Sequence, residues 1–431
     1  MTAHQLIALT VLICVVAALI WGKLRSDVVA LAGAAVLLAT RTIRPVEVQG
    51  AFASPAILAL ASLFVIAYAM ELSGLLGLII RQAIKLCARL GALGLWIVIV
   101  LSAAASAFLN NTPIVVLAGP VVRDVAESMG LSPKRFLIPL SYATIMGGAC
   151  TLIGTSTNLL VNDMARNGGQ PGFGMFEATP VALIVAAAGG IYLFLFGGRL
   201  LGGAASEEAP EPLPAKAAQA AGDDPSLVPV NRDFRPFEAF ASLGVFVLVV
   251  FVAAVGVAPI AAAAFAGAVL LVLMRVISID DAYKGLRPDI LLLIAGMVVV
   301  GLSLEVTGLA SLATNALVEW VKVLGPGLAL ILLYGATLLL TEILSNAAVA
   351  VLLTPVAIAL AESLGVSPRP FLVGIMMAAS AAFATPFGYQ TNVLVFQLGR
   401  YSYMDFVKIG VPLNLLTWAV GAAAIPLFFP F

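Results

Sequence analysis

The chain alternates long apolar runs with a few short polar interruptions. Apolar runs recur at 6–21, 28–39, 57–70, 181–196, 243–257, 261–274, 290–304 and 413–429. Runs approaching about 20 residues predict membrane-spanning helices. Two interruptions resemble each other: Phe108-Leu109-Asn110-Asn111-Thr112-Pro113-Ile114 and Ile343-Leu344-Ser345-Asn346-Ala347-Ala348-Val349. In both, the Asn lies nine residues before a Pro (Asn111 to Pro120, Asn346 to Pro355) and nineteen before a Gly (Gly130, Gly365). Ser-Pro-x-x-Phe-Leu then follows at 132–137 and 367–372, so one offset of 235 relates the copies. Polar side chains and a helix-breaking Pro are costly in hydrocarbon unless they face a protein cavity, so two copies predict one central site built by an internal repeat.

The repeat organises the rest of the chain. Residues 1–200 and 237–431 match element by element: Arg41 to Leu58 with Arg275 to Leu291, and Glu71-Leu-Ser-Gly74-Leu75 with Glu305-Val-Thr-Gly308-Leu309. Between them, residues 201–236 set acids such as Glu207, Glu208, Glu211, Asp223 and Asp224 among prolines such as Pro210, Pro212, Pro214, Pro225 and Pro229, the composition of a flexible cytoplasmic linker. Each half reads as three spans, an amphipathic stretch, a polar-tipped re-entrant hairpin, a span broken by Gly and Thr-Asn, and a last span. The hairpin arms fall at 93–109 and 114–129, and at 326–344 and 348–363. Five crossings per half place the halves in opposite orientations. Charge supports this inverted repeat: Lys23 and Arg25 follow the first span while 256–259 is uncharged, and the basic stripe Arg81, Lys85, Arg89 faces only Glu319 and Lys322 in the second half. Both termini are then outside, although Arg41 and Arg44 fall in a loop assigned to that side. The expected fold is an all-α polytopic membrane protein of two inverted repeats of about five spans each, by the reasoning on odd-numbered repeats.

Composition agrees: 62% of the 431 residues are hydrophobic and 10% charged, with zero net charge, which predicts a multi-pass protein of the bilayer and no nucleic-acid partner. The N-terminus has no basic region or small-residue cleavage site, so the first run reads as a retained span. His4 is the single histidine, and Cys14, Cys87 and Cys150 have neither metal nor redox spacing. No Gly-x4-Gly-Lys-[Ser/Thr] is present, and an enzyme is not expected.

Two further breaks accompany the hairpins: Gly154-Thr155-Ser156-Thr157-Asn158 and Ala384-Thr385-Pro386-Phe387-Gly388-Tyr389-Gln390-Thr391-Asn392. An interrupted helix exposes carbonyls at one half-end and N–H groups at the other. Carbonyl, amide and hydroxyl oxygens suit a hard cation, and half-helix N-termini favour an anion, which together fit cation-coupled anion uptake. The bland alternative is that these side chains only bond helices together. Glu342, three residues before Ser345, is expected on the same helix face, as a possible coupling acid, a cation ligand or a scaffold partner. Glu71 and Glu305 read as solvated helix ends.

At these residues the chain resembles the divalent anion/sodium symporter family of the ion transporter superfamily, whose members carry Ser-Asn-Thr at each hairpin tip and a Gly-Thr-Pro-like or Ala-Thr-Pro-like break in the next helix. Asn110-Asn111-Thr112 and Ser345-Asn346-Ala347 take the tip positions, and Gly154-Thr155-Ser156 and Ala384-Thr385-Pro386 take the breaks. The runs Asn-Asn-Thr-Pro-Ile-Val-Val-Leu, Leu-Ile-Gly-Thr-Ser-Thr-Asn-Leu and Phe-Gly-Tyr-Gln-Thr-Asn look like the branch that includes bacterial and algal sulfate permeases. The resemblance implies an elevator mechanism in a homodimer, one sodium site per repeat and a shared substrate site. Substrate contacts are then expected from Asn110, Asn111, Thr112, Thr155, Ser345, Asn346, Thr385, Pro386, Thr391 and Asn392. Sodium contacts are expected from Asn111, Gly154, Ser156, Asn158, Ser345, Asn346, Ala384 and Gly388. The sequence departs from the pattern at Asn110 and at Ala347, which lacks the expected hydroxyl. The expected function is secondary active, sodium-coupled uptake of a small divalent anion, sulfate or a dicarboxylate, across a bacterial inner membrane, with no bound cofactor. A proton-coupled or arsenite-type permease and a non-transporting anion receptor are the alternatives.

Overall fold

In the computed structural model, residues 1–21, 24–75, 78, 90–201, 234–386 and 388–431 are described. Lys23, the stripe Arg81, Lys85 and Arg89, Phe387 and most of the linker lie outside the described residues. Every regular element among the described residues is a helix. The first series runs α1 (Ala3–Trp21), α2 (Ser26–Ala39), α3 (Pro45–Phe52), α4 (Pro55–Leu72), α5 (Ala92–Ser106), α6 (Asn111–Ser128), α7 (Lys134–Gly148), α8 (Ser156–Asn167) and α9 (Thr179–Leu200). The second runs α10 (Pro236–Ala254), α11 (Ile260–Leu273), α12 (Ile279–Gly285), α13 (Pro288–Val306), α14 (Leu309–Thr341), α15 (Asn346–Leu364), α16 (Arg369–Ser380), α17 (Gln390–Gly399) and α18 (Tyr403–Phe428).

Local chemistry sets several boundaries. Ser54 caps α4 by accepting from Ile57 N at 3.3 Å, with Pro55 in the first turn, where a missing N–H costs nothing. Ser402 and Asp405 form a capping box on α18. Gly325, at φ 74, breaks α14 ahead of Pro326, so its second arm, Gly325–Thr341, is the counterpart of α5. Among the described residues, five helical stretches are long and apolar enough to cross a membrane: Pro45–Leu72, Thr179–Gly198, Pro236–Ala254, Asn346–Leu364 and Tyr403–Phe428. The bent pair α12 and α13 makes a sixth. Outer faces are apolar and uncovered, as at Phe237, Phe240 and Phe251 on α10, which suits hydrocarbon.

Contacts between the halves are reciprocal. α2 packs on α13 as α11 packs on α4, α8 packs on α15 as α17 packs on α6, and α9 packs on its own counterpart α18. The rim repeats the pattern with charges. Lys134 Nζ lies 3.6 Å from Asp405 Oδ2 and 5.7 Å from the Tyr401 ring centre, while Arg369 Nη1 lies 3.0 Å from Glu177 Oε1 and its guanidinium 4.4 Å from the Phe173 ring centre. In each case a cation opening one helix clasps an acid and an aromatic ring from the other half. The largest fully buried side chains include Tyr142, Phe136, Phe371, Phe383 and Phe406, so the densest core surrounds α7, α16 and the start of α18, directly behind both helix breaks.

Candidate functional site

The hairpins α5–α6 and α14–α15 turn at matched polar tips, and one hydrogen bond recurs in both. Ser106 Oγ donates to Asn111 Oδ1 at 2.5 Å, and Thr341 Oγ1 donates to Asn346 Oδ1 at 2.8 Å. Each Asn opens the returning helix, and its amide oxygen is fixed by a hydroxyl on the incoming arm.

The breaks are matched as closely. Asn158 Nδ2 donates to Ala149 O (3.2 Å) and Thr151 O (2.9 Å), and Asn392 Nδ2 donates to Ala382 O (2.8 Å) and Thr385 O (3.2 Å). These contacts equate Asn158 with Asn392, Thr151 with Thr385, Gly154 with Gly388 and Thr155 with Tyr389. The sequence match of Gly154-Thr155-Ser156 to Ala384-Thr385-Pro386 is therefore corrected by four residues: Thr385 is the partner of Thr151, because both lie at the same place relative to the stapling Asn.

Around the first break neutral oxygens converge. A Cβ on Gly154 would meet Ala107 O at 2.6 Å, Ser106 O at 2.9 Å and Gly148 O closer still. A Cβ on Gly148 would meet Asn111 Oδ1 at 2.5 Å and Gly154 O at 3.2 Å. Only glycine fits at either place: three carbonyls crowd the first, and one carbonyl and the Asn111 amide oxygen crowd the second. Thr151 braces it by donating to Ala107 O and accepting from Gly154 N at 3.1 Å.

The second break differs in the acceptor that its threonine meets. Glu342 stands where the first half has Ala107, and Thr385, the counterpart of Thr151, donates to Glu342 Oε2 at 2.8 Å. Ala384 N (2.8 Å) and Asn414 Nδ2 (2.7 Å) donate to Oε1. A Cβ on Gly388 would lie 2.9 Å from Thr385 Oγ1 and 3.1 Å from Glu342 Oε2. The expectation that Glu342 and Ser345 share a helix face is not met: α14 ends at Thr341, Glu342 is its C-cap, and Ser345 is the N-cap of α15.

Across the halves, Asn111 Nδ2 donates to Tyr389 Oη at 2.8 Å, and Thr112 Oγ1 donates to Gln390 Oε1 at 3.1 Å. Ser141 Oγ lies 2.7 Å from Asn392 Oδ1 and 2.8 Å from Thr391 Oγ1. Three of the four half-helix N-termini, at Asn110 (α6), Thr155 (α8) and Tyr389 (α17), carry no side-chain cap, while Ser345 caps α15 by accepting from Ala348 N at 3.3 Å. Without a capping side chain, such helix starts suit an anion.

The expected site residues thus divide. Asn110, Asn111, Thr112, Thr155, Ser156, Ser345, Asn346, Thr385 and Gly388 gather at the tips and breaks. Asn158 and Asn392 staple the breaks from behind, Thr391 turns to Ser141, Ala384 contributes its N–H to Glu342, and Pro386 is buried beside it. Sequence reasoning missed Ser106, Thr341, Ser141, Tyr389, Asn414 and the buried Asp163, which lies against Ser54 and the Ala56 N–H at the start of α4. Ser106 and Thr341 were findable, since each precedes its tip Asn by five residues.

A family model described as citrate transporter matches residues 16–365, a stretch that holds both tips and the first break. The chain belongs to this citrate transporter family. It is a multi-span membrane transporter and not an enzyme. The uncharacterized transporter YfbS of Escherichia coli is 25% identical over 589 aligned positions, covering 95% of this chain and 97% of YfbS. Sodium/sulfate cotransporter 1 of Chlamydomonas reinhardtii is 38% identical over 149 residues, 34% of this chain and 17% of that protein. The crystal structure of the YdaH transporter of Alcanivorax borkumensis shares the fold, with a TM-score of 0.61 at 17% identity over 88% of this chain and 86% of that one.

Proposed function

We propose that this transporter couples the uptake of a small divalent anion, of the sulfate or dicarboxylate class, to sodium. The observation that carries the reading is the set of five neutral oxygens from Ser106, Ala107, Asn111, Gly148 and Gly154, set beside three uncapped helix N-termini. A hard monovalent cation suits neutral oxygen donors, and no Arg or Lys stands among the predicted ligands to balance a dianion. A co-bound cation supplies that balance, which makes cation and anion depend on each other. The sodium/sulfate relative supports both ions. The reciprocal contacts between the halves support an inverted repeat in which tips and breaks move together as a transport domain, in a homodimer of the bacterial inner membrane.

A second reading, proton coupling in a permease of the same or the arsenite type, is favoured by one observation: a carboxylate, Glu342, in the second break where the first has a carbonyl. Radiolabelled uptake into proteoliposomes separates the two. Sulfate, succinate and phosphate are compared under imposed sodium and proton gradients. Sodium-driven accumulation of a dianion is expected; uptake that ignores sodium and follows the pH gradient overturns the sodium reading.

A further inference from the structure

Besides the exchange of Ala107 for Glu342, the halves differ markedly at one more place around the centre. At the positions opening the post-break helices, the first half has Thr155 and Ser156 and the second has Tyr389 and Gln390. Tyr389 and Gln390 reach the opposite hairpin tip and bond Asn111 and Thr112, which are 0% and 1% exposed. The reciprocal place, where α8 packs on α15, brings the shorter Thr155 and Ser156 toward a tip whose Ser345, Asn346 and Ala347 are half-buried. Among the described residues, Asn346 makes no hydrogen bond to the first half. One tip is closed by an aromatic ring and an amide; the other stays open.

Building on the anion-transport reading above, we propose that Tyr389 is the specificity-determining residue of the anion site, closing the first hairpin tip so that a compact tetrahedral dianion fits and an elongated dicarboxylate does not. Sulfate carries both charges on one small tetrahedron and needs one cluster of donors. A dicarboxylate carries its charges at opposite ends and needs two. With the Asn111 and Thr112 side chains committed to Tyr389 and Gln390, the tip side chains left to meet an anion are those of the open tip, beside Thr155 and Ser156 at the start of α8. The phenol also holds Asn111 by its nitrogen while Ser106 holds its oxygen, so the same ring orients a proposed sodium ligand.

The experiment measures sodium-driven uptake of labelled sulfate and succinate by wild type, Tyr389→Thr and Tyr389→Phe in proteoliposomes, with the thermal stabilisation of purified protein by each anion measured in parallel. Wild type should favour sulfate by about tenfold or more, the scale on which a pocket rejects a ligand of the wrong shape. Tyr389→Thr copies the first half and should lower that ratio about tenfold by gaining succinate. Tyr389→Phe keeps the ring and should keep the ratio, while raising the half-saturating sodium concentration because Asn111 loses a partner. Should Tyr389→Thr fail to insert, Gln390→Ser opens the same closure at Thr112 and should gain succinate about threefold. A wild type that prefers succinate, or a Tyr389→Thr or Gln390→Ser variant that transports with an unchanged ratio, overturns the proposal and leaves anion transport standing. A wild type that neither transports nor is stabilised by any dianion overturns the transport reading, and this proposal with it.

Discussion

Gly148→Ala adds one carbon next to the proposed sodium ligands and removes none of them. The new Cβ would stand 2.5 Å from Asn111 Oδ1 and 3.3 Å from its Cγ, where ordinary contact needs about 3.5 Å. The backbone on the other side, Gly154 O at 3.2 Å, leaves little room for Gly148 to retreat, so the carboxamide must move by roughly 1 Å. That displacement breaks the 2.5 Å bond from Ser106 or the 2.8 Å bond to Tyr389, and Asn111 is fully buried, so water does not replace either. A buried polar group left without its partner costs about 1–3 kcal/mol, which corresponds to a loss of roughly 5- to 150-fold in sodium affinity if the bound state bears it. The assay is the sodium dependence of uptake, together with the sodium-induced rise in melting temperature of purified protein. Gly190→Ala is the control, because a Cβ there meets nothing within 4 Å and the residue lies in the body of α9. A Gly148→Ala protein with wild-type half-saturating sodium in both measurements refutes the assignment of Asn111 and the Gly148–Gly154 carbonyls as the cation site.

Three further expectations use the same preparations. Asn111→Ala and Asn346→Ala should each abolish coupled uptake with insertion retained, the first with the larger loss of stability because Asn111 also bonds Tyr389 across the halves; wild-type uptake by both would remove the tip amides from the mechanism. Replacing 206–224 by a flexible spacer of sufficient reach should preserve uptake, since the segment's acidic, Pro-rich composition predicts a tether, and loss of activity in a correctly inserted protein would make it a functional element. Glu342→Gln should keep sodium-driven uptake, because Gln retains an acceptor oxygen for Ala384 N or Thr385; its loss together with sodium-independent, pH-driven uptake in wild type would establish the proton-coupled alternative.

The hairpin tips were legible because hydrocarbon makes a polar, Pro-containing segment expensive, so two such segments at one offset must share a purpose. The arms expected at 93–109 and 348–363 lie against observed helices Ala92–Ser106 and Asn346–Leu364. The breaks were legible as breaks, but their registration was not. Thr385-Pro386 drew the match because the dipeptide looks like a motif, whereas the structure registers the halves through Asn158 and Asn392, whose side chains replace helix hydrogen bonds by capturing two carbonyls each. The Thr-Asn pairs at 157–158 and 391–392 carried that signal at an offset of 234. Tyr389 was illegible for another reason: its role depends on a phenol reaching across the halves, which neither periodicity nor spacing encodes.

The exchange of Ala107 for Glu342 shows what a duplicated site gains by diverging. In both halves a Thr hydroxyl, Thr151 or Thr385, donates to the acceptor at this place, a main-chain carbonyl in one and a carboxylate in the other. The carbonyl is fixed by the hairpin backbone and gives the first break a neutral cage. The carboxylate hangs on a side chain, so it needs three donors to hold it, and one of them, Asn414, comes from α18. The second break is thereby tied to the last helix of its half, and its own negative charge offsets a cation more fully than carbonyls do. The two breaks then differ in charge and in the helix they contact, and under the proposed sodium coupling an ion in the first break is the one whose binding leaves net positive charge for an anion to meet.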